Sequence, residues 1–294
     1  MRATVLAALL VATAAAAAPP RFFLMGDGAV TIVNAHTSER AAVHYRRADG
    51  TYDAAALATL RHVFRSRGDG AETDVSLRLI EILSRLQAMT KRSELVLASG
   101  YRSPSYNQGL KQQRRQVAGG SLHTEGLAAD LAFPRPMLRD LWMKVRDLDC
   151  CGAGLYAKEG FLHVDTGRPR FWEATTSRVD ENLSAGNARV FARTEYDRYA
   201  TGEAIRLRLH SLTVPPIRIA PAARLVRDDG TSVPVRVEGD EPERDGCLEV
   251  DASGAALRVP GIGAAIRGRI ELATCAPRPE QTPETIATGP VAIE

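Results

Sequence analysis

The stretch Ser121-Leu-His-Thr-Glu-Gly-Leu-Ala-Ala-Asp130 decides how this chain is read. Gly126 and the small residues around it let the backbone turn sharply from a loop into a strand, Leu127 to Phe133, so that His123 and Asp130 face one point. Further on, Phe161-Leu-His-Val-Asp165 predicts a second strand, and period-two alternation places His163 and Asp165 on the same face. Outward from these two segments, Val30 to Val33 and Ala41 to Tyr45 read as an opening hairpin. Asp53 caps a helix with Leu57, Leu60 and Phe64 on one side, and Asp74 is expected to cap a second with Leu79, Leu83 and Leu86. Leu95 to Ala98 and Gly154 to Tyr156 predict strands, Tyr106 to Val117 and Met137 to Leu148 helices. The expected fold class is α+β, with helices packed on an antiparallel sheet.

Two imidazoles and one carboxylate, His123, Asp130 and His163, form an N, N, O ligand set suited to one Zn2+ ion per chain. Three protein ligands leave a fourth position for a water, whose pKa the ion lowers to ~7 for attack on a carbonyl. A carboxylate must still take the proton and return it to the leaving amine. Asp165 is the first candidate for that base and Glu159 the second; the competing role for Asp165 is to orient a ligand. Arg102, at the end of the Leu95 to Ala98 strand, is placed either to polarise the carbonyl and hold the developing oxyanion or to make an ordinary salt bridge. His36, His44, His62 and His210 are read as surface or hydrogen-bonded structural residues.

The chain has 294 residues, 45% hydrophobic and 25% charged, enough to bury a sizeable core and to form two domains. Lys plus Arg is 38 against 35 for Asp plus Glu, a small excess that argues against a dedicated nucleic-acid binder, which would concentrate basic residues in a stripe. Residues 1–18 read as a signal peptide: Arg2, an apolar stretch from Val5 to Val11, then Ala14 to Ala18 before Pro19 and Pro20. Export to the periplasm follows, with no transmembrane or lipid anchor expected. Residues 19–173 form the chemistry-bearing domain, 174–187 the linker, and 188–294 a β-sandwich of immunoglobulin-like kind with about seven short strands. There Ile205, Leu207 and Leu209 alternate with Arg206, Arg208 and His210, and Asp229-Gly230 supplies a hairpin turn. If the contact between the domains is small, residues 19–173 fold without it. Cys247 and Cys275 suit a disulfide, whereas the adjacent Cys150 and Cys151 leave free thiols or other links open.

Ser99-Gly-Tyr-Arg-Ser103, Ser121-x-His-x-x-Gly-x-Ala-x-Asp130 and Gly160-Phe-x-His-x-Asp-Thr-Gly167 together resemble the zinc murein peptidases grouped with D-alanyl-D-alanine carboxypeptidases, the murein endopeptidase K type above all. The likeness runs from Val30 to Trp172. It implies one zinc on His123, Asp130 and His163, hydrolysis of peptide bonds in peptidoglycan stem peptides or cross-links, and a carbonyl-binding role for Arg102. Relatives in the wider group carry an acid three positions before the last histidine, where this chain has Gly160. Two rival readings stand beside the enzyme: a wall-binding protein that keeps zinc as a structural element, as in hedgehog-like domains of the same fold, and an envelope structural protein whose role lies in the β-domain. The partners of that β-domain are not specified by its sequence.

Overall fold

The computed structural model describes residues 21–112, 121–176, 186–251 and 256–294. The expected signal peptide lies outside the described residues, as do parts of the expected linker and of the 106–117 helix.

The first part of the chain builds one sheet and its helices. Strands β1 (Ala29–Asn34) and β2 (Arg40–His44) form the opening hairpin. Helix α1 (Ala54–Val63) starts at Asp53, whose carboxylate accepts the Ala56 N–H at 2.9 Å. Helix α2 (Leu77–Thr90) begins after Ser76 and not at the expected Asp74. The Ser76 N–H donates to the Gly126 carbonyl at 3.0 Å, which ties the chain ahead of the helix to the loop carrying His123. There follow β3 (Leu95–Ser99), α3 (Pro104–Gln112), a short 3-10 turn (Leu122–Glu125), β4 (Ala128–Ala132) and α4 (Arg135–Asp147). Strands β5 (Gly152–Tyr156), β6 (Phe161–Asp165) and β7 (Arg170–Glu173) complete the sheet, in the order β2-β1-β3-β4-β6-β5-β7.

The sheet is mixed, which corrects the antiparallel expectation: β1 pairs parallel with β3, and β5 parallel with β7. Direction here is set by the connections. Two helices between β2 and β3 return the chain along β1, and β7 runs back along the outer side of β5 after β6 has reversed. Alternation then sorts the two faces. Leu131, Leu162, Val164 and Leu155 pack with Leu60 of α1, Leu83 of α2 and Val145 of α4 in one core. Asp130, His163 and Asp165, at the alternate positions, face the other way.

The second part is all β: β8 (Phe191–Thr194), β9 (Arg198–Tyr199), β10 (Ile205–His210), β11 (Ile217–Arg227), β12 (Ser232–Arg236), β13 (Glu238–Gly239), β14 (Leu248–Val250), β15 (Leu257–Val259), β16 (Ile266–Thr274), β17 (Thr285–Ala287) and β18 (Val291–Ile293). One sheet has the order β13-β15-β10-β8; the other runs β12-β11-β16-β18-β9, with β14 on β11 and β17 on β16. The described strands exceed the expected seven because the long β11 and β16 each take several partners along their length. Leu207 and Leu257 of one sheet share a core with Ile219, Leu225 and Ile270 of the other. Cys247 and Cys275 are bonded, as are Cys150 and Cys151.

Candidate metal centre

Strand register assembles the site. Ser99 of β3, Asp130 of β4, His163 of β6, Gly154 of β5 and Trp172 of β7 lie opposite one another in a single row across the sheet. The adjacent row holds Ala128, Asp165, Gly152 and Arg170. His123 enters from the 3-10 turn that precedes β4, where Gly126, at φ 69°, ends the turn in a left-handed conformation.

The two histidines and Asp130 meet, as their sequence positions predict. His123 Nε2 and His163 Nδ1 are 3.2 Å apart, and Asp130 Oδ1 is 2.8 Å from His163 Nδ1 and 3.3 Å from His123 Nε2. Donors ~2.0–2.1 Å from a common tetrahedral ion sit a little over 3 Å from each other, so these spacings fit one small cation. The remaining polar atom of each residue is already engaged. His123 Nδ1 donates to the Gly100 carbonyl at 2.7 Å, His163 Nε2 donates to Asp165 Oδ2 at 2.9 Å, and Asp130 Oδ2 accepts from Arg102 Nη2 at 2.5 Å. These partners fix both tautomers. His123 Nε2, His163 Nδ1 and Asp130 Oδ1 consequently converge on one point, where a metal ion or a shared proton would satisfy them.

The two imidazoles are shifted in opposite directions. Burial, helped by the Arg102 charge, holds His123 below the usual imidazole range. Burial opposes ionisation of Asp130, but its charge and hydrogen-bond contacts with His123 and His163 hold it well below the carboxylate range. His163 is pushed up against its own burial by Asp130 and Asp165.

Asp165, the first candidate for the base, is buried and fully hydrogen-bonded, an arrangement that suits the competing role of orienting His163. Its side chain has 0% exposure. It accepts from His163 Nε2 at 2.9 Å, the Gly167 N–H at 2.8 Å, and Arg170 Nη1 and Nη2 at 3.0 and 2.8 Å. A carboxylate has about four lone-pair sites, and all are used. Glu159 lies on the exposed turn between β5 and β6 and has no hydrogen-bond or ion-pair partner among the described residues. Arg102 is held at both ends of its fork, by Asp130 and by Ser99 Oγ at 2.9 Å from Nε.

Several residues of the site carry no local signal in the sequence. Arg170 and Trp172 reach His163 and Asp165 across β5 only because β5 has glycines there. A Cβ on Gly152 would lie 2.4 Å from Asp165 Oδ2, and one on Gly154 would lie 2.5 Å from the Trp172 ring. The Trp172 ring then sits 5.3 Å from the His163 ring and donates from Nε1 to the Tyr156 hydroxyl at 3.3 Å. Burial raises the Tyr156 pKa; the Trp172 hydrogen bond and Arg102 offset this, while the charges of Asp130 and Glu159 add to it.

Comparison with known proteins bears on the same half of the chain. The family model described as peptidoglycan L,D-endopeptidase MepK matches residues 26–172. The peptidoglycan L,D-endopeptidase MepK of Escherichia coli strain K12 is 33% identical over 144 residues, 49% of this chain and 79% of that protein. The probable peptidoglycan L,D-endopeptidase MepK of Haemophilus influenzae is 29% identical over 146 residues, 49% of this chain and 78% of that protein. No solved structure matches the chain significantly.

Proposed function

The chain belongs to the peptidoglycan L,D-endopeptidase MepK family, and from that membership we propose that it is a zinc-dependent hydrolase of peptide bonds in peptidoglycan. The observation that carries the reading is the convergence of His123 Nε2, Asp130 Oδ1 and His163 Nδ1, all within 4.8 Å of one another. These residues hold one zinc ion per chain. When bound, the ion polarises a carbonyl oxygen and acidifies a water.

The protein's own groups do the rest. Arg102, anchored by Asp130 and Ser99, presents the open side of its guanidinium to the carbonyl of the scissile bond, where negative charge develops. Asp165 orients His163, and Arg170 with the Gly167 N–H holds Asp165. Glu159 takes the proton of the attacking water and passes it to the leaving amine. Residues 1–18 direct export, and the enzyme works in the periplasm on cell-wall substrate. The all-β part is an immunoglobulin-like sandwich, a reading supported by two sheets closing on one core.

Digestion of purified murein, with mass analysis of the released muropeptides, tests the proposal. Cleavage of an L,D bond, lost with chelator, restored by zinc and absent in His123→Ala, is expected. Lysis that persists in chelator would exclude a metal mechanism, and products cut at another bond would exclude the assigned specificity.

A further inference from the structure

The all-β part meets the rest of the chain in two places: Arg21, Phe22, Phe23 and Arg78 contact Tyr196, Asp197 and Glu203, and a second set of contacts lies around the candidate ligands. Phe191 of β8 is buried with Leu122, Leu127 and Ala128, residues that flank His123 and open β4. Two positions along β8, Arg193 Nη2 donates to the Gly167 carbonyl at 2.7 Å. The N–H of that same glycine donates to Asp165 Oδ1 at 2.8 Å, and Asp165 Oδ2 accepts His163 Nε2. From β10, His210 Nδ1 and the Ser211 N–H meet the two carboxylate oxygens of Glu125 at 2.8 and 3.0 Å, two residues after His123. Gly167 leaves no room for a side chain: a Cβ there would lie 2.8 Å from Asp165 Oδ1, from Arg170 Nη1 and from Leu122 Cδ1.

We propose that the β-sandwich is part of the metal centre's supporting framework, with Arg193 and His210 as positioning residues that hold, through Gly167 and Glu125, the two segments bearing His163 and His123. The inference rests on the metal reading above. Residues 191–211 lie beyond residues 26–172, the stretch matched to the family, so this layer of support belongs to the chain's own extension. It also changes the expectation that residues 19–173 stand alone, which required a small contact between the two parts.

The test uses the full-length zinc-loaded protein and four variants. Zinc release is followed by transfer to a chromophoric chelator, ligand geometry by the visible absorption of the cobalt-substituted protein, and folding by thermal melting. Arg193→Met and His210→Ala are expected to speed zinc release by about two- to tenfold, less than the ~10–100-fold usual for loss of a ligand's direct hydrogen-bond partner, and to shift the cobalt bands. Arg193→Lys should recover part of both effects. Arg21→Met breaks another contact between the two parts, the Arg21–Glu203 pair at 2.6 Å, remote in sequence from the ligands. It should leave zinc release and the cobalt spectrum at wild-type values. Unchanged release and spectra in Arg193→Met and His210→Ala, or an equal change in Arg21→Met, would overturn the proposal. If one variant does not fold, the other and Arg193→Lys carry the comparison. A wild-type chain that takes up no stoichiometric metal would sink the metal reading itself, and the inference with it.

Discussion

Replacing Asp165 by Asn separates the role of base, which the sequence puts first, from the competing role of orienting His163. In the wild-type site Oδ2 accepts from His163 Nε2 and Arg170 Nη2, and Oδ1 accepts from the Gly167 N–H and Arg170 Nη1. An asparagine that keeps its oxygen toward His163 turns its NH2 against two donors; flipped, it turns the NH2 against His163. Two of the four bonds are lost in either pose. Charge-assisted hydrogen bonds contribute about 1.5–3 kcal/mol each. The Arg170 side chain is 42% exposed and rehydrates, which lowers the net destabilisation to about 2 kcal/mol. The consequence at the metal is a His163 ring without its anchor, expected to weaken zinc binding by about 10–100-fold, or about 1.4–2.7 kcal/mol. Turnover on murein at saturating zinc should fall by less than about tenfold, far from the ~10²–10⁴ that removal of a general base costs. Zinc affinity from chelator competition and turnover at saturating zinc are therefore measured on the same preparation. Wild-type affinity combined with a hundredfold loss of turnover would refute the positioning role and return Asp165 to the chemistry.

The same geometry gives three further expectations. Gly152→Ala puts a methyl group where Asp165 and Arg170 meet, and should weaken zinc binding to the level of Asp165→Asn, read by the same competition; unaltered affinity would show that the carboxylate does not need its present position. Arg102→Met removes both the support of Asp130 Oδ2 and the cationic donor, so turnover should drop by about 10²–10³, with Arg102→Lys restoring only part because an ammonium lacks the fork; full activity in the lysine variant would argue against two-point anchoring. Asp69 is held down to about 2 by hydrogen bonds from Ser103 and Ser66, the Ala71 N–H and Ser105. A depressed folded-state pKa adds stability above the ordinary value near 3.8 that is lost as pH falls through about 2. Asp69→Asn should flatten the acid limb of stability against pH in that window, measured by thermal melts, and an unchanged slope would remove Asp69 from the acid response.

The meeting of His123, Asp130 and His163 was legible because its signal resides in residue type and local spacing: two imidazoles and an acid around a glycine turn and an alternating strand. The capped helix at Asp53 and the apolar stripes of the helices were legible for the same reason. Strand direction was not, since β1 and β3 contain nothing that distinguishes parallel from antiparallel pairing; the intervening helices decide it. The packing around Asp165 was hidden too. Arg170 acquires its partner only through the register that sets Gly152 between them, a pairing of segments whose meaning is absent from either one alone.

His210 shows where alternation itself stops being informative. In Ile205 to His210 the apolar residues turn inward and the polar ones outward, and the pattern is identical at Arg206, Arg208 and His210. Arg206 and Arg208 are exposed, whereas His210 is half-buried against Glu125. Period two identifies a face of the strand; it does not say whether water or another part of the chain covers that face. The same holds on β8, where Arg193 occupies an outward position and meets the Gly167 carbonyl. Polar residues on the outer face of a strand therefore deserve reading as contact residues wherever the neighbouring domain presents an unpaired carbonyl or carboxylate, and here both such groups sit two residues from the groups that build the metal site.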